Sequence, residues 1–467
     1  MSKTWPRTPK RRWRRWRCSS STGSRSVVLI RRRHVTRSRG TRRQVSQGRS
    51  SLRRLPGFPE VLAAATVSTV GDGIQLVTLP LLASSLTMSP QVISALAAAG
   101  MLPALIFALP AGALVDRIDR RRLLVVVDVL RAVILGGLVL LLLSGRLALW
   151  ELFAITFVLG ICGVLFGTGS VAYLPSIVPK NKLAQANGYL STVTELGNGI
   201  IGPALGGPIF AISKALPFVI NALSFAGSAY FLARLARSSA LAPTQTRAAP
   251  PSGSFGRQVT EGLRWLFRRR SLRSLVFVVA GWNLFGWMPE ATFILYAKQE
   301  LQLGEVGYAL LFTSTSVGAV LGGLVSSRMI NRWGMQPVLY CSVGLYALLM
   351  VPVAISDSVV VVGVAFFAQG IPLVAWTVVS TTIRQALVPD ELLGRVASVF
   401  RLVASGFSPI GMLAGGLLAD WLGLRAVYLV SAAGILLIVL MNMRGLRILA
   451  QEAEAETRRV DQTEASP

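Results

Sequence analysis

Three acidic residues interrupt runs of apolar sequence that are otherwise nearly free of charge. Asp72 lies near the middle of the first run, Glu195 near the middle of the fifth, and Glu290 late in the seventh. An ionised side chain in hydrocarbon is costly, so such residues usually mark an ion or substrate path. A carboxyl group in a low-dielectric site favours its neutral, protonated form. These three acids are therefore the candidates to bind and release a coupling proton.

Two arginines inside the runs are the possible partners of these acids. Arg131 lies in the third run and Arg401 in the eleventh. Asp128 precedes Arg131 by three residues on one helix face, so this pair can also satisfy itself. Glu195 and Arg401 fall at related positions of the two halves, which allows an ion pair across an interface. A structural ion pair and a proton site are equal alternatives for Glu195.

The apolar runs predict an all-α membrane protein. The chain is 52% hydrophobic and 15% charged, whereas soluble domains are about 25% charged. Twelve runs are long enough to cross the roughly 30 Å hydrocarbon core as helices. Their predicted limits are 59–86, 90–114, 122–144, 149–174, 185–211, 215–235, 273–297, 305–327, 335–355, 358–382, 395–420 and 424–444.

The basic residues of the connecting loops predict the orientation of these helices. Arginines and lysines cluster in alternate loops, at 117–122, 180–182, 257–273, 328–332, 384–395 and 444–447. The opposite loops are nearly bare. Cytoplasmic loops carry the excess of Lys and Arg, so we expect a multi-pass protein of the plasma membrane with both termini in the cytoplasm.

Residues 236–272 form the longest interior connection and divide the chain into two halves. We expect a helix bundle at 55–235, a linker at 236–272 with an amphipathic helix on the inner leaflet, and a second bundle at 273–445. A cytoplasmic tail follows at 446–467. Apolar residues at helical spacing against arginine are typical of such an interfacial helix.

Residues 1–54 carry nineteen Lys and Arg and no acid. Basic runs with interleaved tryptophan suit nucleic acid or anionic lipid, but they are also typical of a disordered tail, which we favour. A third alternative is that this segment is absent from the mature protein. We expect no nucleic-acid partner and a monomeric protein.

The two halves contain related loop sequences. At one constant offset, Gly112, Asp116, Arg117 and Arg121 fall on Gly323, Ser327, Arg328 and Arg332. A parallel six-span repeat is the signature of transporters whose halves rock around a central site. The sequence therefore favours a transporter with alternating access.

The segment from Gly112 to Arg121 resembles the loop signature of the major facilitator superfamily. It departs at Asp119, where the family usually has glycine; Asp tolerates the left-handed backbone that a glycine there would supply. Other segments resemble the drug and siderophore exporters of that superfamily, which include macrolide and enterobactin efflux proteins: 68–73, 174–179 with 186–188, 202–207, and 388–391 with 394–396. The resemblance covers roughly residues 55–450.

This resemblance implies the major facilitator fold, two six-helix bundles with twelve transmembrane helices. It implies a gating role for the charged loop, although these charges can also serve only to set topology; the loop residues are Gly112, Asp116, Arg117, Arg120 and Arg121. It also implies a bent fifth helix of the kind that exporters have, at Gly202, Pro203, Gly206 and Gly207. Asn198 stands where the exporters are expected to have a further glycine. This departure weakens the inference from the resemblance that the protein is an antiporter.

Aromatic and amide side chains in the seventh and tenth runs are candidates for a substrate cavity. Aromatic walls with few polar groups suit bulky, amphiphilic substrates, although such residues also serve as interface anchors or packing. The candidates are Trp282, Asn283, Trp287, Gln369 and Trp376.

The leading prediction is a proton-coupled exporter of drug-like or amphiphilic small molecules. The alternatives are a siderophore or metabolite exporter, an importer, and a membrane sensor that does not transport. The single histidine lies in the basic tail and the three cysteines are scattered, so we expect no metal and no cofactor. An enzyme is disfavoured because no nucleophile–base set is present, and an ATP-driven pump because no phosphate-binding loop is present.

Overall fold

The structure is a computed structural model that describes residues 52, 55, 57–238 and 264–465. Every regular element in these residues is helical. Ten helices or helix pairs among them are long and apolar enough to cross a membrane. The protein is therefore an all-helical, multi-pass membrane protein.

The N-terminal part of the described chain contains seven α-helices. They are α1 (Phe58–Leu86), α2 (Pro90–Arg117), α3 (Arg120–Leu143), α4 (Leu149–Ile177), α5 (Leu183–Glu195), α6 (Gly202–Ile212) and α7 (Leu216–Ser238). A π-helical turn, Leu196–Ile201, joins α5 to α6. These three elements form one apolar segment that matches the predicted fifth run.

The C-terminal part contains seven further α-helices. They are α8 (Arg270–Leu295), α9 (Glu305–Trp333), α10 (Met335–Leu348), α11 (Met350–Ile355), α12 (Val359–Leu387), α13 (Asp390–Leu422) and α14 (Leu424–Ala465). A second π-helical turn, Tyr296–Glu300, extends α8. The predicted ninth run is interrupted at Leu349 between α10 and α11.

The helices pack in two groups that follow the chain. In the N-terminal group, α1 packs on α6 and α7, α2 on α4, and α3 on α4 and α7. In the C-terminal group, α8 packs on α13 and α14, α9 on α12, and α10 on α12 and α14. The main contacts between the groups join α2 to α13 and α6 to α9. Related helices thus take related places in each group.

The loop between α2 and α3 is ordered by Asp119, which caps α3. Its carboxylate accepts a hydrogen bond from the Arg122 backbone N–H at 2.8 Å, which satisfies one of the free donors at a helix start. The backbone of Asp119 has φ −58°, so the left-handed conformation expected from the family's glycine does not occur. Asp replaces glycine here as a helix cap.

The last helix is longer than the sequence predicted. Residues from 446 onward were expected to form a tail, but α14 continues without a break to Ala465. Leu446, Leu449 and Ala453 recur at helical spacing and are buried. Glu454 accepts a hydrogen bond from the Met335 backbone N–H at 2.7 Å, so the extension caps the start of α10.

Parts of two predictions lie outside the described residues. These are the basic segment up to residue 51 and the linker from 239 to 263, which includes most of the predicted amphipathic helix. Residues 264–268 of that helix are helical. Leu52, which the sequence placed in the tail, is buried in a cluster with Phe58 and Leu174.

Glycines allow α9 and α12 to cross with their backbones in contact. A methyl group on Gly318 would overlap the carbonyl oxygen of Phe367, and one on Gly370 would overlap that of Thr315. Gly323, on the same helix as Gly318, has only a side-chain atom of Val374 at 3.9 Å. Only the first two positions require glycine for packing.

We expect Gly318→Ala to destabilise the C-terminal group by about 1–3 kcal/mol, because the added methyl group must push the two backbones apart. The measurement is the melting temperature of the purified protein in detergent. Gly323→Ala is the matched control, and it should be neutral or raise the melting temperature, because alanine is the better helix former. Equal melting temperatures for the two variants would contradict the close crossing.

Candidate functional site

A buried ion pair lies inside the N-terminal group of helices. Arg131 Nη1 is 3.6 Å from Asp128 Oδ1, one turn away on α3. Asp128 Oδ2 accepts a hydrogen bond of 2.6 Å from the Ser228 hydroxyl on α7. Asp128 is 0% and Arg131 is 6% exposed. Burial in apolar surroundings makes each charge depend on the other.

Two aromatic rings hold the Arg131 guanidinium between α4 and α7. It lies 4.9 Å from the centroid of Phe166 and 5.0 Å from that of Phe225. Cation–π contacts of this kind are stronger when the cation is removed from water. The arginine is therefore fixed by three helices of the group, α3, α4 and α7.

Asp72 is a second carboxylate near this arginine. It lies half-buried on α1 and interacts electrostatically with Arg131 and with Asp128. With both acids ionised, the cluster of Asp72, Asp128 and Arg131 carries one negative charge more than its single cation balances. Protonation of one carboxylate makes it neutral. Among the described residues Asp72 forms no ion pair with Arg131, whereas the alternative pair of Asp128 and Arg131 is present.

The register of α1 in this site is set by its contacts with α7. The Asn221 side-chain amide donates a hydrogen bond of 2.6 Å to Gln75 Oε1. Gly71, next to Asp72, lies against the side chains of Asn221 and Ser224. The small residue lets the two helices approach, so Asp72 is held at the level of Arg131.

The π-helical turn lies on the other side of Asp72. Gly73 of α1 packs against the carbonyl oxygen of Gly197 and the Cα atom of Gly202. The Oδ1 atom of Asn198 in this turn is buried without a hydrogen-bond partner among the described residues. π-Helical turns occur frequently at functional sites, and this one packs the backbone of Asn198 against Gly73 of α1.

The predicted bend residues after this turn are packing positions. Gly202, Pro203, Gly206 and Gly207 are all buried. Gly206 lies against the backbone of Ile74 on α1, whereas Gly207 lies against Glu305 and Ala309 on α9. Adjacent faces of α6 therefore contact different groups: one face packs on α1 of its own group, and the other packs on α9 of the C-terminal group.

Glu195 lies at the surface between the groups, and it faces α9. A methyl group on Gly199 would lie 3.0 Å from the Ser316 hydroxyl and 3.3 Å from Glu195 Oε1. The hydroxyl of Ser316 and the carboxylate of Glu195 therefore both lie next to Gly199. The described residues contain no ion pair between Glu195 and Arg401, and both side chains are exposed. The segment that contains Glu195 packs on α9, while the helix of Arg401 packs on α2. The expected pair is therefore not formed.

Glu290 lies on the face of α8 that also carries Asn283 and Trp287. Its side chain is exposed, and those of Asn283 and Trp287 are half-buried. Asn283 Oδ1 accepts a hydrogen bond of 3.1 Å from Ser408 on α13. Trp287 packs on a cluster that combines Ala98 of the N-terminal group with Ala291 and Met412. This face therefore looks toward the other group.

The remaining cavity candidates lie deeper in the C-terminal group. Trp376 is 4% and Gln369 is 3% exposed. Trp282 stacks on Trp376 with ring centroids 5.5 Å apart and also contacts Tyr346. The Nε2 atom of Gln369 is buried without a partner among the described residues. In this conformation Trp376 and Gln369 belong to the packing between helices.

The arginines of the α2–α3 loop bind helix ends. Arg120 donates to the Ala172 carbonyl at 2.9 Å, and Arg121 donates to the carbonyls of Leu232 and Ala233 at 3.0 and 3.2 Å. These carbonyls lie near the C-terminal ends of α4 and α7, where cations are favoured by the helix dipole. Arg117 is exposed, and Gly112 has open space at its Cα.

The close contacts between the two groups lie toward one end of the helices. The Gln91 amide donates to Asp420 Oδ2 at 2.8 Å, and Gly416 packs against Ser94. Gly207 packs against α9 near its first residue, Glu305. All these residues lie in the halves of their helices away from the arginine-rich loops.

The sequence matches known transporters along most of its length. Residues 52–465 match the family described as transmembrane secretion effector, within the major facilitator superfamily. The chain belongs to this family. It is therefore a membrane transporter and not an enzyme.

Two efflux pumps are similar to this chain over most of their own length. The multidrug efflux pump Tap of Mycolicibacterium fortuitum is 28% identical over 394 residues, which cover 81% of this chain and 93% of the relative. Macrolide efflux protein A of Streptococcus pyogenes is 24% identical over 393 residues, covering 82% and 94%.

Solved structures share the fold. The nucleoside transporter NupG matches with a TM-score of 0.66 at 12% identity, over 83% of this chain and 98% of that one. A bacterial homologue of the iron transporter ferroportin matches with a TM-score of 0.64 in its inward-facing state, at 18% identity over 85% and 100% of the chains. Its outward-facing state matches with 0.53, at 20% identity over 84% and 99%.

Several residues of the site were not found from the sequence. Ser228 and Asn221 on α7 bind side chains on α3 and α1, and Gln91 binds Asp420, 329 residues later. Polar residues within an apolar run were the available signal for the first two. No local pattern marks the third.

We expect Arg131→Gln to cost about 3–5 kcal/mol of stability, because it leaves a buried carboxylate without its cation. The measurement is the melting temperature in detergent. The double variant Asp128→Asn with Arg131→Gln removes both charges of the pair and should recover most of the loss. A single variant that melts with the wild-type protein would rule out a tightly coupled buried pair.

Proposed function

We propose that this protein is a proton-coupled exporter of drug-like, amphiphilic small molecules that works by alternating access. The observation that carries the proposal is the cluster of Asp72, Asp128 and Arg131 inside the N-terminal group. Membership of a transporter family and similarity to two proteins named as efflux pumps support it.

The cluster provides a reason for proton binding. Its single arginine balances one carboxylate, and Asp128 already has a second partner in Ser228. Asp72 is less buried than Asp128, so Asp72 is the acid that water reaches and that takes up the coupling proton. Binding of the proton neutralises the cluster, and its loss restores a net negative charge. A charge that changes in an apolar site changes the relative free energies of the two conformations.

We propose that the chain forms twelve spans in two six-helix bundles, with the bundles at 55–235 and 273–445. The two spans beyond the ten apolar helices are the segment of α5, the π-helical turn and α6, and the segment of α8 with its own turn. Both are about 30 residues long, enough to cross a bilayer. We propose a monomer in the plasma membrane, surrounded by lipid, with both termini in the cytoplasm.

In this topology the described conformation is open to the cytoplasm. The contacts between the groups lie away from the arginine-rich loops, as in the pair of Gln91 and Asp420. The better match to the inward-facing than to the outward-facing ferroportin homologue supports this assignment. Outward opening then requires these contacts to break.

The charged α2–α3 loop is well placed to act as a gate on the cytoplasmic side. Arg120 and Arg121 bind carbonyls of α4 and α7 and so tie three helices of one group together. We propose that the loop moves with its group as one body and that Arg117, which is exposed, pairs with the other group in the outward-facing state. Such a contact in one state only would bias the equilibrium.

We expect Asp72→Asn to abolish efflux driven by a pH gradient, because an amide cannot bind and release the coupling proton. The measurement is drug accumulation in cells or proteoliposomes, with the amount of protein in the membrane determined in parallel. Glu151→Gln is the matched control, because this residue caps the start of α4 and Gln can retain that bond. Gradient-driven efflux by Asp72→Asn at the wild-type rate would exclude Asp72 from coupling.

A second experiment tests the closed outer end. In a variant with its native cysteines replaced, we expect Gln91→Cys and Asp420→Cys to be joined by a short bis-methanethiosulfonate crosslinker, because the native side chains meet at 2.8 Å. The crosslink should stop transport, and reduction should restore it. Undiminished transport by the fully crosslinked protein would contradict a conformational change at this position.

A further inference from the structure

We propose that Glu290 binds the positive charge of the transported molecule, so that the substrates are lipophilic monovalent cations. This inference rests on the proposed function and adds to it the substrate class and the group that recognises it. It assigns substrate and proton to carboxylates in different helix groups.

Glu290 faces the space between the two groups. Its helix, α8, packs on α13 and α14, while Trp282 and Phe293 contact rings on α9, α10 and α12. The neighbouring helices thus cover the other sides of α8. Trp287, one turn before Glu290, packs on a cluster that contains Ala98 of α2, and α8 itself contacts α2. The exposed Glu290 carboxylate therefore opens into the interior of the protein and not to lipid.

This carboxylate has no cation of its own. Among the described residues, Glu290 takes part in no ion pair and no side-chain hydrogen bond, in contrast to Asp128, which has Arg131 and Ser228. Asp72 interacts electrostatically with Arg131, whereas the groups that interact with Glu290 are tyrosines. A carboxyl group at this depth requires either a counter-charge or a proton. A ligand in the cavity can supply the counter-charge.

The surroundings of Glu290 select the rest of the ligand. Trp287, which is half-buried, lies one turn before it on the same helix face. Aromatic faces attract cations and offer apolar area to bulky groups. A single carboxylate balances one positive charge. The site thus fits a cation whose charge is covered by hydrophobic groups, and it repels an anion of the same shape.

Two probes of nearly equal shape and opposite charge test the proposal directly. Tetraphenylphosphonium is a lipophilic cation, and tetraphenylborate is its anionic counterpart. We expect the purified wild-type protein to bind the cation and to bind the anion at least tenfold more weakly, as measured by equilibrium binding in detergent. Glu290→Gln should weaken binding of the cation about tenfold, which corresponds to about 1.4 kcal/mol, and should reduce the discrimination between the probes.

Conservative and distant variants complete this test. Glu290→Asp keeps the charge and should retain most of the affinity, whereas Glu151→Gln lies at the far end of another helix and should behave as wild type. Unchanged affinity for the cation in Glu290→Gln would overturn the proposal, and so would equal loss of both probes. The proposal would also be overturned if the wild-type protein bound neither probe, or bound the anion as tightly as the cation.

Binding in detergent needs no proton gradient, which separates this proposal from the proposed function. If Glu290→Gln loses the cation while gradient-driven transport in the wild type is absent, the coupling mechanism fails and the assignment of Glu290 stands. If transport is driven by the gradient but Glu290→Gln binds the cation normally, the coupling mechanism stands and the assignment of Glu290 fails.

Discussion

The charge of Arg131 is the constraint on which the N-terminal group depends. An arginine does not lose its proton in a protein, so a guanidinium that is 6% exposed inside a helix bundle must be balanced and solvated by the protein. Asp128 supplies the balancing charge from the same helix, and Phe166 and Phe225 supply ring faces. Movement of α3, α4 or α7 alone would break these contacts. The arginine therefore makes the group behave as one body.

The same constraint explains why small residues surround the site. With Arg131 fixed, α1 must approach closely for Asp72 to interact with it. Gly71 allows contact with α7, and Gly73 allows contact with the π-helical turn. The glycines are thus required by the position of the charge as well as by packing. Between the groups, Gly207 and Gly416 make close contacts toward one end and Gly199 makes one nearer the middle, which leaves the other end free to open.

The helices were predictable from the sequence because a bilayer imposes a simple requirement, an apolar run of sufficient length. The extension of α14 was missed because charges interrupt its apolar residues, so that only their periodicity carries the signal. Asp72, Arg131 and Glu290 stand out because charge is rare in the runs, but the pairing of Glu195 with Arg401 was inferred from repeat-related positions. Such positions are related by a symmetry operation, which does not require them to touch. The contacts between groups join α2 to α13 and α6 to α9. A residue of the α5–α6 segment, such as Glu195, therefore lies near α9 and not near the helix of Arg401.

The two groups differ in how they treat an intramembrane acid, and this difference bears on coupling. If substrate and proton competed for one carboxylate, only a cation could be exchanged for protons, because an uncharged molecule would not displace the proton. With Asp72 near Arg131 in one group and Glu290 without a cation in the other, the two events can be linked through the conformational equilibrium alone. In the N-terminal group one arginine lies near two carboxylates, so one of them is left to take up a proton. In the C-terminal group Glu290 has no resident cation, so its charge is left to be balanced by a ligand.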